Sequence, residues 1–374
     1  MKKVIVLGVG FVGWTIAMDL CHEYQVTVAD INAAALESLK AGYPVATIKA
    51  DLSDQQKIAE LVRDQDLVIG AIPGFLAFAM VKTVIMAKKN IVDISFFPED
   101  ALALDDLAKQ SGVTVVVDCG VAPGMDNVIL GYHHRRMEVE SFECLVGGLP
   151  VVRTWPYYYK APFSPLDVLE EYTRPARMVE NGQVVTKPAL SDAEYVEFPG
   201  VGTLEAFNTD GLRTLIKTIK VPNMKEKTLR YPGHIEYIRV LRETGFFDTK
   251  PIEVKGVSVR PIDVTAKLLF PKWHSNKGDD ELTVMRVTVI GKENGKPKRY
   301  TYHLLDRYDA KTGASSMART TGYTCTATAR LMLNNQFRRQ GVCPPEYLGE
   351  DESCFKQLLG YLKERNVIYR CEEA

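Results

Sequence analysis

Residues 2–30 read KKVIVLGVGFVGWTIAMDLCHEYQVTVAD, and this stretch decides how the rest of the chain can fold. It contains a short apolar run, the glycine-rich segment Gly8–Gly13, an amphipathic segment, and a second apolar run that ends at Asp30. The pattern predicts a strand, a tight turn, a helix that opens at the turn, and a second parallel strand. Such a turn places backbone N–H groups and the positive end of a helix where a diphosphate can bind.

The same stretch predicts a dinucleotide cofactor. Gly8 permits the tight turn, Gly10 lets the backbone approach a diphosphate, and Gly13 lets the helix pack closely on the strand. A carboxylate at the end of the second strand, Asp30, accepts hydrogen bonds from ribose hydroxyls and repels a 2′-phosphate. Because the two residues after Asp30 carry no positive charge, we expect NAD rather than NADP. The alternative is a glycine-rich turn that binds nothing.

The composition is that of an ordinary globular protein with room for two domains. The chain has 374 residues, of which 46% are hydrophobic and 25% charged. A net charge of −1 argues against nucleic acid or an anionic membrane as the main partner, and no apolar run approaches the roughly 20 residues of a spanning helix. The seven cysteines are scattered, without a close Cys-x-x-Cys pair. We therefore expect reduced thiols in a cytoplasmic protein with no metal site.

Strand and helix patterns alternate through about residue 120. Strands that are apolar on both faces are typical of a parallel sheet covered by helices. Ligands bind at the carboxyl ends of such strands, so we expect the residues there to line one crevice. For any single one of them, the alternative is an ordinary strand-end loop. These residues are Asp51, Ile72, Pro73, Gly74, Ser95 and Cys119.

After residue 124 the pattern changes to hairpins with a few helices. Residues 282–291 and 296–305 read as paired strands around an Asn-Gly turn, and residues 210–220 and 234–244 read as helices. From residue 315 the pattern is helical again. We predict an α/β fold in which a doubly wound parallel sheet of the Rossmann type carries an inserted α+β domain with an antiparallel sheet. The NAD-binding domain is predicted to comprise residues 1–125 and 315–374, and the substrate and dimerisation domain residues 126–314.

Four polar segments could take part in chemistry. Residues 155–160 (WPYYYK) form either an aromatic wall with the lysine facing substrate or a dimer-interface patch. Residues 208–213 (NTDGLR) begin a predicted helix, where Asp210 is either an N-cap or a catalytic group. Residues 228–234 (TLRYPGH) combine a cation, an aromatic ring and an imidazole, with a surface turn as the alternative. Residues 315–322 (SSMARTTG) form either a helix cap or a segment beside the cofactor.

Several of these motifs together resemble a known family. The quoted motifs are GVGFVG (8–13), AIPGF (71–75), DISFF (93–97), CGVAPGMDN (119–127), GGLP (147–150), TLRYPGH (228–234), YHLLDRYD (302–309) and SSMARTTGY (315–323). In combination they resemble the saccharopine-dehydrogenase-like NAD(P) oxidoreductases, and among these most of all the bacterial and archaeal lysine 6-dehydrogenases. The resemblance implies hydride transfer at a carbon–nitrogen bond, with Ser95 and Thr228–Arg230 at the substrate.

Two departures from the family pattern bear on the substrate. The glutamate-forming saccharopine reductases carry an aspartate where this chain has Ala122, and an arginine where it has Thr209. In the family both positions touch substrate. Loss of the two charged groups that hold a glutamyl moiety suits a smaller amine.

We therefore expect NAD-dependent oxidative deamination of L-lysine at the ε-amine, giving allysine and its cyclic form, piperideine-6-carboxylate. The alternative enzyme is a saccharopine dehydrogenase, and a more distant alternative is a non-catalytic NAD-binding regulatory protein. Since an ammonium has no lone pair to drive hydride loss, a base is needed, and His234 is the candidate with Asp210 as its rival. Arg230 or Arg213 is expected to hold the substrate's α-carboxylate.

The expected site residues fall into two groups, in a protein expected to form a homodimer or a higher homo-oligomer. The expected substrate-binding residues are Ser95, Tyr159, Lys160, Arg213, Thr228, Leu229 and Arg230. The expected cofactor-binding residues are Gly8, Gly10, Phe11, Val12, Gly13, Asp30, Asp51, Ile72, Pro73, Cys119 and Arg319.

Overall fold

The computed structural model describes residues 1–161, 165–276 and 278–374. Its N-terminal third alternates strands and helices, as the sequence predicts. In chain order these elements are β1 (Lys3–Leu7), α1 (Phe11–Leu20), β2 (Gln25–Asp30), α2 (Ala33–Gly42), β3 (Ala46–Lys49), α3 (Gln55–Val62), β4 (Leu67–Gly70), α4 (Gly74–Met86), β5 (Ile91–Asp93), a 3-10 turn (Ala101–Leu104), α5 (Asp105–Ser111), β6 (Thr114–Val116) and α6 (Met125–His134).

The middle of the chain is rich in strands, and the C-terminal segment is mainly helical. The middle elements are β7 (Glu138–Pro150), α7 (Pro165–Thr173), β8 (Ala176–Glu180), β9 (Gln183–Lys187), β10 (Glu194–Phe198), β11 (Gly202–Asn208), α8 (Leu215–Thr218), β12 (Asn223–Arg230), α9 (His234–Glu243), β13 (Ile252–Val254), β14 (Val257–Val259), α10 (Pro261–Trp273), β15 (Glu281–Glu293) and β16 (Lys296–Arg307). The C-terminal elements are α11 (Ser316–Leu333), β17 (Gly341–Val342), α12 (Glu346–Glu350), α13 (Glu352–Glu364) and β18 (Arg370–Glu373).

The first sheet confirms the predicted parallel α/β architecture. Its seven described strands run in the order β17-β6-β5-β4-β1-β2-β3, and all their pairings are parallel. Strands β4, β5 and β6 are buried along their whole length, because helices cover both faces of the sheet. The strand order reverses between β1 and β4, so a crevice opens beyond their carboxyl ends, next to the glycine-rich turn.

The second sheet contains nine described strands. The sequence predicts an antiparallel sheet here, but the observed sheet is mixed. Its main path is β10-β11-β12-β7-β15-β16-β18, with β8 and β9 attached beside β12. Strand β7 pairs antiparallel with β15 but parallel with β12. The long connection between β7 and β12 permits this parallel pairing.

The C-terminal segment contributes to both sheets. Strand β17 completes the edge of the first sheet beside β6, whereas β18 pairs with β16 of the second sheet. The predicted division of the chain into two domains stays a prediction, with the correction that residues 370–373 belong to the second sheet. Within the described ranges, no helix has both the length and the apolar character needed to cross a membrane.

The predicted helix over residues 210–220 is wrong, since only Leu215–Thr218 are helical. Two side chains before this helix are engaged elsewhere: Asp210 binds Arg177, and Arg213 binds Asp118. Arg213 also has a φ of +49°, which lies outside the helical region and prevents a continuous helix.

The pair Arg213–Asp118 ties the inserted domain to the first sheet. The guanidinium donates to both carboxylate oxygens of Asp118, just beyond β6, at 3.2 and 3.0 Å. It also donates to the carbonyl oxygen of Phe97, beyond β5, at 2.7 Å. Both side chains of the pair are at most 5% exposed. Breaking such a buried pair on one side leaves an uncompensated charge, which is strongly destabilising.

We predict that Arg213→Met lowers the stability of the protein by ~3–5 kcal/mol at pH 7, because Asp118 then stays buried without its cation. Denaturant unfolding followed by circular dichroism measures this loss. The double variant Arg213→Met/Asp118→Asn should recover part of it, since the orphaned charge is removed as well. Equal stabilities for wild type and Arg213→Met would show that the pair does not hold the two sheets together.

Candidate active site

A cavity of about 700 Å³ extends from the glycine-rich turn of the first sheet to the second sheet. Two groups of side chains line it. Those at the nucleotide end include Gly8, Gly10, Phe11, Val12, Gly13, Asp30, Ile31, Asp51, Leu52, Ile72 and Pro73. Those at the other end, here called the second-sheet end, include Ser95, Phe96, Asp118, Tyr159, Asp167, Glu170, Glu171, Arg174, Thr209, Asp210, Glu226, Thr228 and Arg230.

The glycine-rich turn has the shape that a diphosphate requires. A Cβ on Gly8 would lie 2.2 Å from the carbonyl oxygen of Ala71, and one on Gly13 would lie 2.2 Å from the carbonyl oxygen of Gly8. A Cβ on Gly10, by contrast, would meet nothing within 4 Å. Gly10 is also the N-cap of α1 and offers no side chain to the first-turn N–H groups. Gly8 and Gly13 therefore close the turn, and Gly10 keeps the space in front of the helix open.

Asp30 occupies the position expected of a ribose-binding carboxylate. It ends β2 and lines the nucleotide end of the cavity. Its two oxygens accept hydrogen bonds from the backbone N–H groups of Val9 and Asn32, each at 2.7 Å. These contacts fix the carboxylate beside the turn, and each oxygen keeps a lone pair for a further donor. The residues at this end thus fit an NAD(P)-type dinucleotide.

The charged groups at the second-sheet end are mostly paired with one another. Arg174 donates to Glu170 at 2.9 Å, and Arg230 donates to Glu171 at 2.7 Å. The spacing of Asp167, Glu170 and Glu171 places these three on one face of α7, which covers this part of the cavity, and Arg174 follows directly after the last residue of the helix. A helix of the inserted domain therefore brings a charged face to the crevice of the first sheet.

Glu226 is the buried acid at this end that lacks a cation among the described residues. Its carboxyl group accepts a hydrogen bond from the hydroxyl of Thr209 at 2.7 Å, and Thr209 in turn lies 2.9 Å from the hydroxyl of Thr228. Burial raises the pKa of Glu226 well above its usual range. A Cβ on Gly211 would lie 2.2 Å from this carboxyl, so the absent side chain there makes room for it.

Most of the site residues expected from sequence do line the cavity, but six do not. His234, Arg213, Leu229, Lys160, Cys119 and Arg319 are absent from the lining. Gly74, one of the strand-end residues expected to line the crevice, is absent from it as well. In the segment at residues 155–160, Tyr159 lines the cavity, whereas Trp155 is 74% exposed.

The position of His234 does not support its expected role as a base. The imidazole is fully buried, with Nε2 2.9 Å from the hydroxyl of Tyr172 and Nδ1 2.8 Å from the carbonyl oxygen of Tyr157. Burial, together with the nearby charge of Arg230, lowers the pKa of His234 to about 3. Both nitrogens are therefore occupied within the protein core, and the ring is neutral. The rival candidate, Asp210, lines the cavity but is held there by the guanidinium of Arg177 through two contacts of 2.8 Å.

The other five residues outside the lining have structural contacts instead. Arg213 binds Asp118, as described above. Lys160 donates to the carbonyl oxygen of His274 at 2.8 Å, and Arg319 pairs with Asp306 and Asp309. Alternation along β12 turns Leu229 to the opposite face from Thr228 and Arg230, where it packs in a separate apolar cluster. Cys119 is buried against α11, with its sulfur 3.2 Å from the hydroxyl of Thr328.

Sequence reasoning missed Glu226, Glu171 and Arg174, although two patterns could have found them. Glu226, Thr228 and Arg230 alternate along one strand and so share a face. Glu171 belongs to the charged face of α7, and Arg174 follows directly after the end of that helix. Neither pattern is apolar, which is why a search for hydrophobic periodicity passes over both.

Comparisons with known proteins show to which family the chain belongs. The model for the saccharopine dehydrogenase NADP binding domain matches residues 4–116, and the model for the saccharopine dehydrogenase C-terminal domain matches residues 120–368. The saccharopine dehydrogenase [NADP(+), L-glutamate-forming] of Pyricularia oryzae is 30% identical over 261 residues, covering 66% of this chain and 58% of that protein. The enzyme of the same name from Schizosaccharomyces pombe is 28% identical, covering 92% of this chain and 94% of that protein.

A solved structure shares the fold over the whole chain. Apo saccharopine dehydrogenase (L-Glu forming) from Saccharomyces cerevisiae matches with a TM-score of 0.80 at 20% identity, covering 100% of both chains. The second family model alone spans well over half of this chain. The chain therefore belongs to the saccharopine dehydrogenase family.

Proposed function

We propose that the protein is a NAD-dependent dehydrogenase that oxidises the ε-carbon of L-lysine and releases the ε-amine, as a lysine 6-dehydrogenase does. The product, allysine, cyclises to piperideine-6-carboxylate. Family membership supports a nicotinamide-linked oxidation at a carbon–nitrogen bond. When bound, NAD+ supplies the hydride acceptor, and the residues of the second-sheet end select and orient the amine.

The observation that carries this proposal is the charge of the second-sheet end. Six carboxyl groups line it, against two arginines, and both of these arginines are paired with glutamates of the lining. Arg177 and Arg213 pair with two of these acids without lining the cavity themselves. Even when both are counted, the acids outnumber the guanidinium groups. Buried charges require partners of opposite sign. A cavity with this balance suits a substrate that brings positive charge.

The α-carboxylate of lysine still needs a cation, and two arginines are available for it. Arg230 is the residue expected from sequence and lines the cavity. Its guanidinium already donates to Tyr172, Glu171 and the carbonyl oxygen of Leu229. Arg174 retains an Nη1 without a hydrogen-bond partner in the described part of the chain. We propose that the carboxylate binds beside these two arginines, with Arg174 contributing the unused donor.

The two departures from the reductase pattern lie on the wall of the cavity. Ala122 and Thr209 both line it, and neither carries a charge. The hydroxyl of Thr209 donates to Glu226 and is not free to hold a second carboxylate. A glutamyl moiety brings two carboxylates to this wall, and they would find an acid there instead of a base.

The second candidate function is that of a saccharopine dehydrogenase. The relatives described above carry that name, and they favour it more than they favour lysine oxidation. This function would require Arg174 and Arg230 to give up their pairs with Glu170 and Glu171, so that they could bind the additional carboxylates of saccharopine. The chain spans only 58% of the length of the Pyricularia relative. We therefore base the proposed activity on the residues of the site and not on the activity of that relative. The expected homo-oligomer and cytoplasmic location also stay predictions.

We propose NAD as the cofactor, although the matching family model and the fungal relatives are described with NADP. Among the described residues that line the cavity, the cations are Arg174 and Arg230, and both belong to the second-sheet end. Asp30 and Asp51 are the charged groups of the nucleotide end. A 2′-phosphate there would meet negative charge without a compensating cation.

We predict that wild type prefers NAD+ over NADP+ and that Asp30→Ser/Ile31→Arg shifts the preference towards NADP+. The double change removes the repelling carboxylate and supplies a cation for the 2′-phosphate. The measurement is kcat/KM for each cofactor, with Ile31→Ser as the control for loss of the exposed isoleucine alone. Equal use of both cofactors by wild type would contradict the role given to Asp30.

We predict that the purified protein forms NADH from L-lysine without any added 2-oxo acid, and that the product reacts with o-aminobenzaldehyde as a cyclic imine. Saccharopine should be a poor substrate, because its glutamyl carboxylates have no free cations at the acidic wall. A spectrophotometric screen of lysine, ornithine, saccharopine and cadaverine measures this. Efficient turnover of saccharopine with lysine inert would establish the second candidate function instead.

A further inference from the structure

Glu226 lies within β12 with its carboxyl group at the second-sheet end of the cavity. The residue is 4% exposed, and no lysine, arginine or histidine of the described chain forms an ion pair with it. A buried carboxyl without a cation costs free energy, and a fold retains it at a cavity wall when a ligand supplies the missing partner.

The carboxyl group is held in place by its neighbours on one side only. Oε2 accepts the hydrogen bond from Thr209, which is itself linked to Thr228. Gly211 faces the same carboxyl, and any side chain there would displace it. Oε1 accepts no hydrogen bond from a described residue. The group is thus oriented and still has one oxygen available to a ligand.

The surroundings of Glu226 favour its protonated form while the cavity holds no cation. Burial is the main cause of the raised pKa, and the like charges of Asp126 on α6, Glu171 on α7 and Asp210 after β11 add to it. The Cys144 thiol on β7 is a further acidic group that interacts with it. The Thr209 hydroxyl acts in the opposite direction. A cationic ligand at this place would favour ionisation and release the proton.

We propose that Glu226 binds the substrate's ε-ammonium and accepts its proton, so that the free amine can be oxidised. This inference rests on the proposed function. An N–H bond of the ammonium breaks, and its proton moves to Oε1 of Glu226. The nitrogen lone pair then assists loss of hydride from the adjacent carbon to the oxidised nicotinamide, which leaves an iminium ion. Water adds to this ion, and ammonia departs to give the aldehyde.

Glu226 fits this role better than the two bases expected from sequence. Both oxygens of Asp210 are bound by Arg177, so protonation of Asp210 would break that pair. His234 lies outside the cavity with both nitrogens occupied. A base with a raised pKa is also the stronger proton acceptor once it is ionised.

The first test measures proton release on binding, which does not depend on turnover. Lysine is titrated into the protein saturated with NADH, in two buffers of different ionisation enthalpy at pH 7. Wild type should release protons as lysine binds, because burial raises the pKa of Glu226 and the ammonium favours its ionised form. Norleucine, which lacks the ε-amine, should release none. Equal release with both ligands would overturn the proposal without any need for a variant.

The second test uses Glu226→Gln, which keeps the volume of the side chain and an oxygen for Thr209. We predict that kcat for lysine falls by ~100- to 10,000-fold, the usual contribution of a general base. Proton release on binding should disappear. Activity of the variant should rise continuously with pH, because only lysine that is already deprotonated can react.

A matched control is Glu205→Gln on the neighbouring strand β11. Glu205 is 6% exposed, and burial raises its pKa as well, but it accepts a hydrogen bond from the backbone of Gly233 and does not line the cavity. This variant should behave as wild type in both tests. If wild type oxidises lysine and Glu226→Gln retains its rate and proton release, Glu226 is not the base, and the proposed function stands. If wild type binds and oxidises no amine, the proposed function fails and the role of Glu226 fails with it.

Discussion

The buried pair between Arg213 and Asp118 is the contact on which the rest of the site depends. It joins the segment after β11 to the carboxyl ends of β5 and β6, where the crevice of the first sheet opens. Asp118 of this pair lines the cavity across which β12 and α7 face the glycine-rich turn. The nucleotide end and the acidic second-sheet end are therefore parts of one site, which a reaction between a dinucleotide and a second ligand requires.

The two ends of this cavity differ in the charged groups that line them and in how these groups are paired. At the nucleotide end a carboxylate stands beside backbone N–H groups, which is the arrangement for a diphosphate and a ribose. At the second-sheet end each arginine is matched by a glutamate, and Glu226 is left over. In our proposal, this unmatched acid gives the site a preference for a cation. Chemistry at an amine follows from that preference, because the acid that attracts an ammonium can also take its proton.

The features that the sequence predicts well are those determined by neighbouring residues. The strands of the first sheet and the glycine-rich turn depend on local periodicity and on backbone space, which residues 2–30 display directly. Glu226 depends on Thr209 and Gly211, which lie outside its own strand, and that strand reads NMKEKTLR, a charged run that looks exposed. The failed helix at residues 210–220 has the same origin, since Arg213 is drawn to a carboxylate 95 residues away. The sequence does not reveal that His234 is enclosed in the core, because its partners, Tyr172 and Tyr157, lie elsewhere in the chain.

The most direct measurement is a crystal structure of the protein with NADH and L-lysine, a complex that cannot turn over. The account predicts that the ε-nitrogen lies within about 3 Å of the Glu226 carboxyl. It also predicts that the α-carboxylate lies beside Arg174 and Arg230, and that the nicotinamide lies between β12 and the carboxyl ends of the first sheet. Lysine bound with its carboxylate towards Glu226, or bound outside this cavity, would contradict the account.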